Sequence, residues 1–448
     1  MQDKETTGDV PDVNKKFPAQ NTAGPHAIRT ALCDLNGVAR GKRIPASQIE
    51  KALEGKTRMP LSSSMVDIWG RDIDNRDLIF SNGDADGICQ AIRESVLPAP
   101  WLGAQAGTIP VWMFSEDGKP SDIDPRHALA MVLERYSEKN LIPVVATELE
   151  FYLTPLESSN VELDVEGIYS LQQLDSLTPM LDDIYAACEA QGVQADAASS
   201  ESGAGQFEVN LLHRNNALLA ADDAVFFKSI VRGVAHAHGY RANFMAKPNG
   251  LDAGNGMHVH FSLQDSKGLN VFDNDSDSGT ELLQFAVAGM LSAMKESTLI
   301  FAPHFNSYRR LRPDAHAPTA ICWGYENRTT AIRIPGGAPQ ARRIEHRVAG
   351  ADANPYLVLA AILGAALLGM EEKLLPPDQT KGNAYDAGAE VLPGHWADAI
   401  KAFDSGSRVE KIYPAQLKDV FAQIKNQEMS EFLDKVSAFE TKSYADLV

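Results

Sequence analysis

Residues 144–153 read VVATELEFYL, and this stretch decides what kind of fold the chain can adopt. It is rich in β-branched and aromatic residues and has no glycine or proline, which is typical of a β-strand. Side chains two positions apart in a strand point to one face, so Glu148 and Glu150 are predicted to point the same way. Such a pair is costly to bury unless cations join it, although the pattern also fits a strand whose polar face is in water.

Two other segments repeat this spacing with imidazole and charged groups. His258 and His260 occur in GNGMHVHFSL, and Arg343, Glu345 and Arg347 alternate in RRIEHR. Taken alone, the histidines could be satisfied polar positions, and the Arg–Glu alternation could be a ladder of weak surface ion pairs. Because unrelated segments offer similarly spaced clusters, we expect their polar faces to converge on one place.

A glycine-rich turn supplies two more carboxylates. Glu201 and Glu208 flank Gly203–Gln206, although such a turn could also be a solvated loop. Carboxylates with an imidazole and no thiolate suit hard cations such as Mg²⁺ or Mn²⁺ better than zinc. The neighbouring arginines indicate that anions bind as well. Two cations beside several arginines suit phosphoryl transfer from a nucleotide, so the sequence predicts sites for divalent metal, phosphate and a carboxylate substrate.

The common glycine-rich phosphate-binding loops are missing from the sequence. Gly55-Lys56-Thr57 matches the end of a P-loop, but Glu50 stands where that pattern requires its first glycine. No G-x-G-x-x-G follows a predicted strand either. Phosphate binding is therefore predicted to depend on metals and arginines.

Composition narrows the class of protein. The 448 residues are 44% hydrophobic and 23% charged, and the formal net charge is −19. This charge argues against nucleic acid as a partner and against an anionic membrane surface. The four cysteines are widely spread without a C-x-x-C pair, and the polar N-terminus has no apolar h-region. We therefore expect a cytoplasmic protein without a signal peptide.

Turn signals and composition predict two domains. Residues 1–23 are polar and rich in turn formers, so we expect them to be disordered. A small, mostly β domain over residues 24–118 is predicted from three strand-like runs, Ala27–Asp34, Leu61–Ile68 and Ile109–Phe114. The linker Asp117–Pro120 then leads into a larger domain over residues 119–448.

The larger domain is predicted to mix helices with the strands that carry the charged pairs. Helical periodicity and capping residues predict helices from Asp124-Pro125 onward and at Thr178–Gln191, Ala217–Gly239, Glu281–Leu299, Pro414–Gln427 and Glu431–Thr441. The apolar run Tyr356–Met370 follows an N-cap asparagine and is too short to span a bilayer, so we expect a buried core helix. Irregular alternation of helices and strands predicts an α+β fold with an antiparallel sheet.

Together these motifs resemble the glutamine synthetase superfamily, bacterial type. The resemblance rests on ELEF, E-x-G-x-GQ-x-E, GNGMHVHFSL, NSYRRL, NRTTAIRIP and RRIEHRVAGADANPYL, and covers about Thr30 to Leu375. WGYENRTTAIRIP and HRVAGADANPYLVLAAIL are most similar to the γ-glutamylpolyamine and γ-glutamylputrescine synthetase branch. The resemblance implies a small N-terminal β-grasp domain and a large catalytic domain with a curved antiparallel sheet surrounded by helices. It also implies a homo-oligomer, a dodecamer of two stacked hexameric rings.

The resemblance implies ligands for two metal ions. The first set would be Glu150, Glu201 and Glu208, and the second would be Glu148, His258 and Glu345. It implies ATP as co-substrate and two or three Mg²⁺ or Mn²⁺ ions in each site. ATP would phosphorylate the glutamate side chain, and an amine would then displace phosphate from the γ-glutamyl phosphate.

Further residues receive roles in the same way. Substrate-binding groups would be Arg310, Arg347, Glu150 and the backbone of Gly254. Nucleotide-binding groups would be His260, Ser262, Arg328, Arg333 and Arg343. By resemblance Arg328 and Arg310 would also be catalytic. His316 is added to them from its position alone, as a base for the amine. Tyr385 is similar in place to a tyrosine that some bacterial members adenylylate, although a loop tyrosine usually has no such role.

Departures from the family pattern bear on the acceptor. Ammonia-using members carry an acidic residue where this chain has His316, and an aspartate where this chain reads PLSSS at residues 60–64. Asp67 lies nearby but at a different place, and Ala253 replaces a family asparagine. We therefore expect a larger primary amine, putrescine or another polyamine. The alternatives are an ammonia-dependent glutamine synthetase, a ligase for a small monoamine such as methylamine or ethanolamine, and a non-catalytic relative.

Overall fold

A computed structural model describes residues 27–75, 83–163, 167–276, 278–313 and 315–448. The predicted disorder of residues 1–23 lies outside these ranges. The four cysteines are free thiols.

The first sheet is formed by the N-terminal part of the chain. Its seven strands are β1 (Ala27–Cys33), β2 (Ala39–Arg40), β3 (Arg43–Pro45), β4 (Thr57–Pro60), β5 (Asp86–Ala91), β6 (Leu97–Pro98) and β7 (Ala106–Phe114). The order is β2-β1-β7-β5-β4, with β3 on β1 and β6 on β7. Among the described residues of this sheet, only the β1–β7 pair is parallel. The short helix α1 (Ile49–Leu53) packs beside it, and Ile28, Ile109 and Met113 are buried in its core. This confirms the predicted β-grasp domain; its bounds at residues 24–118 stay a prediction.

The strand predicted at Leu61–Ile68 is wrong. The strand ends at Pro60, and Leu61–Ser64 form a 3₁₀ turn. Proline cannot donate to a sheet ladder, and the Ser63 hydroxyl donates to the Pro60 carbonyl at 2.6 Å. Local side-chain bonding therefore competes with strand pairing at a site whose apolar residues alone resemble a strand.

The second sheet carries the charged motifs. Its eight strands are β8 (Ile142–Pro155), β9 (Ala195–Ser200), β10 (Gln206–Leu211), β11 (Tyr240–Asn243), β12 (Met257–Gln264), β13 (Trp323–Tyr325), β14 (Ile332–Ile334) and β15 (Ile344–His346). The order is β13-β14-β15-β12-β8-β10-β9, with β11 also on β8. In the described part of the chain, the pairs of this sheet are antiparallel except β13–β14. The predicted α+β class with a curved, mainly antiparallel sheet is confirmed.

Helices cover this sheet and form most of the core. They are α2 (Pro125–Glu138), α3 (Leu171–Ser176), α4 (Thr178–Gln191), α5 (Ala217–Ala237), α6 (Glu281–Phe301), α7 (Pro355–Glu372), α8 (Trp396–Asp404), α9 (Ser407–Glu410), α10 (Ala415–Leu433) and α11 (Ala438–Tyr444). Helix α7 is long and apolar enough to cross a membrane, but 89% of it is buried inside the protein. A helix that is apolar all round and buried in this way is typical of a globular core, as predicted for Tyr356–Met370.

Helices α6 and α7 approach each other closely at two glycines. A Cβ added to Gly289 would lie 2.6 Å from the backbone nitrogen of Gly369 and 2.2 Å from the carbonyl oxygen of Ala365. Both separations are too short for a real side chain, so glycine permits this contact.

The C-terminal helices differ from the prediction of Pro414–Gln427 and Glu431–Thr441. Helix α10 continues through the predicted break to Leu433 because no glycine or proline interrupts it. Helix α11 begins after Ser437, whose side chain forms a capping box with Glu440. The capping signal therefore marks the start of the last helix more accurately than its apolar pattern.

Candidate active site

Strand β8 lies between β10 and β12, and their register brings the predicted acids and imidazoles together. Glu148 is opposite His258 on β12, and Glu150 is opposite Glu208 on β10. Opposite residues in an antiparallel pair share one face of the sheet. The two-residue spacing of each segment therefore produces one continuous polar face.

Two more strands extend this face. On β15, Glu345 is opposite His260, and on β14, Arg333 is opposite Glu345. Arg333 Nη1 donates to Glu345 Oε2 at 2.9 Å, and Arg347 also donates to this carboxylate. The side chain of Glu345 is only 1% exposed, so this ion pairing is buried.

Glu148 lies between two imidazoles. Its Oε2 is 3.1 Å from His258 Nδ1, and its Oε1 is 3.0 Å from His260 Nε2. Burial tends to raise the pKa of Glu148, but the hydrogen bonds to His258 and His260 outweigh it and hold the pKa well below its usual value. Glu148 is therefore an ionised carboxylate at neutral pH.

The pKa values of Glu201 and Glu208 are raised, in contrast to that of Glu148. Burial, followed by the charge of Glu150, raises the pKa of Glu201 to about 7. Burial and the charges of Glu148, Glu150 and Glu201 likewise raise the pKa of Glu208. These carboxylates repel one another, so a bound cation would relieve an unfavourable arrangement.

Donor atoms come close enough for metal coordination in two groups among the described residues. Ligand atoms of Glu148, Glu208 and His258 lie within 4.8 Å of one another, as do those of Glu148, His260 and Glu345. The predicted sets instead placed Glu208 with Glu150 and Glu201, and Glu345 with His258. The six predicted ligands share this face, but their division into sets stays a prediction. Carboxylates and imidazoles without a thiolate fit Mg²⁺ or Mn²⁺.

A cavity of about 930 Å³ opens above this face. The predicted residues that line it are Glu148, Glu150, Glu201, Glu208, Gly254, His258, Arg310, His316, Arg328 and Arg347. The remaining predicted residues, His260, Ser262, Arg333, Arg343 and Glu345, lie on or beside strands β12, β14 and β15 and are not part of the cavity lining. Arg343 Nε donates to His260 Nδ1 at 3.3 Å, so these two residues are in contact.

Buried bonds fix the floor of the cavity. Arg310 Nη1 donates to the Val348 carbonyl at 2.7 Å, which orients the guanidinium. A Cβ on Gly256 would lie 2.9 Å from Arg310 Nη2, so glycine leaves room for this arginine. The Gly256 N–H donates to Glu150 Oε2 at 2.6 Å, which holds that carboxylate in place.

The sequence did not identify several residues of the site. Gln206 Nε2 donates to the Gly254 carbonyl and to Asn255 Oδ1, each at 3.0 Å, and links the two glycine-rich segments. Tyr169 also lines the cavity, and so does Tyr385, which the resemblance had singled out in another role. Gln206 could have been found because it lies two residues before Glu208, a spacing that puts both side chains on one face of a strand. Tyr169 had no sequence signal, because it comes from a loop.

Asp67, which lies near the place of the family aspartate in the sequence, forms hydrogen bonds outside the cavity. Its Oδ2 accepts from Arg71 Nε at 2.8 Å and from Gln427 Nε2 at 3.0 Å. Its side chain is 0% exposed. Asp67 therefore stabilises a local turn and does not line the cavity of this chain.

Comparison with known proteins identifies the family and the fold. The model of the family described as glutamine synthetase, catalytic domain, matches residues 122–444. A solved structure described as GmaS without ligand superimposes with a TM-score of 0.82 at 30% identity, covering 94% of this chain and 97% of the other.

Three curated relatives cover most of the chain. Gamma-glutamylputrescine synthetase PuuA of Escherichia coli (strain K12) is 37% identical, over 90% of this chain and 88% of the relative. Glutamate–isopropylamine ligase of Pseudomonas sp is 31% identical, over 94% and 95%. A glutamine synthetase of Pyrococcus abyssi (strain GE5 / Orsay) is 32% identical, over 93% of each chain. The relatives thus include ligases named for an amine and one named for glutamine.

Proposed function

This chain belongs to the glutamine synthetase family, and we propose that it joins the γ-carboxyl group of L-glutamate to a primary amine, putrescine or another polyamine. Enzymes of this family are ATP-dependent ligases that form γ-glutamyl carbon–nitrogen bonds with the help of divalent metal ions. What is proposed for this chain is the identity of the acceptor amine and the roles of individual residues in binding and catalysis.

The observation that carries the proposal is the position of His316. It lines the cavity together with Arg310 and Arg328, and by resemblance it stands where ammonia-using members have an acidic residue. The carboxylate that would attract ammonium and accept its proton is then absent, so we infer an acceptor large enough to be held by further contacts. The names of two relatives, which specify putrescine and isopropylamine, give independent support.

The roles of the chain's own groups follow from charge and position. We assign Arg310 and Arg347 to the glutamate carboxylate, with Glu150 and the Gly254 backbone near its amino group. Arg328, Arg333 and Arg343 would neutralise phosphate oxygens, with His260 and Ser262 toward the nucleotide. ATP and the metal ions supply the phosphoryl group and neutralise its charge when bound.

The six acids and imidazoles are assigned to metal binding as predicted. Glu150, Glu201 and Glu208 would form one set, and Glu148, His258 and Glu345 the other. The raised pKa values of Glu201 and Glu208 support the first set, because a cation would favour their charged forms.

His316 is assigned to the amine. An alkylammonium ion must lose a proton before it can attack the γ-glutamyl phosphate, and an imidazole near neutral pH can accept that proton. The attack forms the amide C–N bond, and the phosphate leaves with the electrons of the broken C–O bond. Arginines close to that phosphate stabilise the charge that develops on it.

A substrate panel tests the proposal. Glutamate-dependent ADP release should be measured with putrescine, spermidine, methylamine, ethanolamine and ammonium, and the amide products should be identified by mass spectrometry. The expected result is the highest kcat/KM with putrescine or spermidine. Activity with ammonium alone would show that the chain is an ammonia-dependent glutamine synthetase.

We also propose a cytoplasmic dodecamer of two hexameric rings. The free thiols suit a reducing compartment, and the resemblance supports the ring assembly. Light scattering during gel filtration tests the assembly: the expected mass is twelve times that of the 48.6-kDa chain. A monomer or dimer at micromolar concentration would contradict it.

A further inference from the structure

The turn that carries His316 adopts an unusual backbone conformation. His316 has a φ of +57°, in the left-handed region that residues with a side chain rarely adopt. Such a conformation persists only where the surrounding structure holds it. The direction in which the imidazole points into the cavity therefore depends on contacts made by the neighbouring residues.

One of these contacts comes from Tyr385. The Tyr385 hydroxyl donates to the carbonyl oxygen of Ala317, the residue after His316, at 2.8 Å. Tyr385 lies in the 3₁₀ turn Ala384–Asp386, which Asn383 caps through its side chain. Both Asn383 and Tyr385 line the same cavity as His316.

The segment that carries Tyr385, residues 380–386, is fixed at its other end beside Arg328. Asn327 Nδ2 donates to the carbonyl oxygens of Thr380 and Gly382 at 3.1 and 2.8 Å. The Ala384 N–H donates to Thr329 Oγ1 at 2.9 Å. The segment therefore joins the residues on both sides of Arg328 to the turn that carries His316.

We propose that Tyr385 is a positioning residue for the acceptor amine, acting through His316. Its hydroxyl holds the Ala317 carbonyl, which keeps His316 in its left-handed conformation and its imidazole at the amine side of the cavity. This inference rests on the proposed function, because it concerns the residue assigned to the amine. It adds a specificity-determining contact that does not touch the reacting atoms.

Tyr385→Phe removes the hydroxyl and keeps the ring. The expected result is a KM for the acceptor about fivefold higher, which corresponds to about 1 kcal/mol and to the loss of one hydrogen bond. The KM values for glutamate and ATP should stay within about twofold, because Arg310 and the nucleotide side keep their own contacts. Asn383→Ala removes the cap of the turn and should give the same pattern if Tyr385→Phe is poorly folded.

A double-mutant cycle separates positioning from general destabilisation. In a His316→Ala background, Tyr385→Phe should change the acceptor KM by less than about 1.5-fold, because the group that it positions is gone. The matched control is Tyr413→Phe, which removes a buried hydroxyl bonded to the Leu357 carbonyl at 2.7 Å outside the cavity. The control should lower the melting temperature without changing the KM values selectively.

The KM of each variant is measured with putrescine and with ammonium as acceptor. The proposed acceptor and the proposed role of Tyr385 can then fail independently. If wild type uses only ammonium, the proposed acceptor is wrong, and the ratio of variant to wild-type KM for ammonium still tests the role of Tyr385. Equal increases in all three KM values, no increase in the acceptor KM, or full additivity with His316→Ala would overturn the inference.

Discussion

A buried ion pair is predicted to hold the first sheet against helix α10. Lys425 Nζ lies 2.9 Å from Glu428 Oε2, and the two side chains are 0% and 1% exposed. Lys425 also donates to Asn36 Oδ1, and the Ile68 N–H donates to Glu428 Oε1 at 2.8 Å. The pair therefore connects the helix to both Asn36 and Ile68 of the N-terminal region.

Lys425→Met removes the cation and keeps most of the apolar stem. It leaves the Glu428 carboxylate buried beside the Ile68 N–H without its ammonium partner. Breaking a buried pair from one side costs about 3–5 kcal/mol, and we expect the free energy of unfolding to fall by this amount. Adding Glu428→Gln removes the isolated charge, so the double variant should be more stable than Lys425→Met alone.

Urea unfolding at one fixed protein concentration measures this difference, because assembly also affects the midpoint. The control is Lys295→Met, which breaks an exposed ion pair. Lys295 Nζ lies 2.7 Å from Glu390 Oε1, and the two side chains are 56% and 59% exposed. It should cost less than about 1 kcal/mol. A loss below about 1 kcal/mol for Lys425→Met, or a double variant less stable than the single one, would refute the reasoning.

Three further predictions concern other parts of the molecule. Gly369→Ala should lower the free energy of unfolding by about 1–3 kcal/mol in urea, because its Cβ would lie 2.2 Å from the Phe285 carbonyl oxygen; an unchanged midpoint would contradict the close helix contact. Glu345→Ala should lower kcat/KM about 100-fold or more in the ADP-release assay, and parent-like turnover would remove Glu345 from the metal assignment. Burial raises the pKa of Asp124 from 3.8 to about 6, so the folded state favours the protonated form. Between about pH 4 and 6 wild type should therefore lose up to about 3 kcal/mol of stability relative to Asp124→Asn, and parallel pH profiles of the urea midpoint would contradict this.

The residues of the polar face could be predicted because strand geometry fixes them. Two separate registers pair Glu148 with His258 on β12 and Glu150 with Glu208 on β10, and the two-residue spacing within β8 places both pairs on one side of the sheet. Which of these residues lie next to each other on the face could not be predicted. Whether Glu345 lies nearer to His258 or His260 depends on the register between β12 and β15, which places it opposite His260 and which residue spacing does not determine.

Loop residues were the least predictable part of the site. Tyr385 reaches the cavity because residues 380–386 bond to Asn327 and Thr329, more than 50 positions earlier in the sequence. No local pattern encodes such a contact. The turn after Pro60 was missed for a different reason: the bond from the Ser63 hydroxyl to the Pro60 carbonyl is local, but the apolar residues of that stretch resemble a strand.

The polar face is divided into two ends with opposite electrostatic requirements. Burial raises the pKa of Glu345, but Arg347, His258, His260 and Arg333 outweigh it and lower the pKa to about 2. At the other end, burial and neighbouring carboxylates raise the pKa of Glu201 and Glu208. The acidic end therefore requires added positive charge, whereas the arginine end already has it. Cations are thus most favourable at the acidic end and phosphate oxygens at the arginine end. This order follows from charge alone. It agrees with the proposed metal ligands Glu150, Glu201 and Glu208 and with the nucleotide-binding arginines, whereas Glu345 of the second metal set lies at the arginine end. All of these roles were assigned by resemblance.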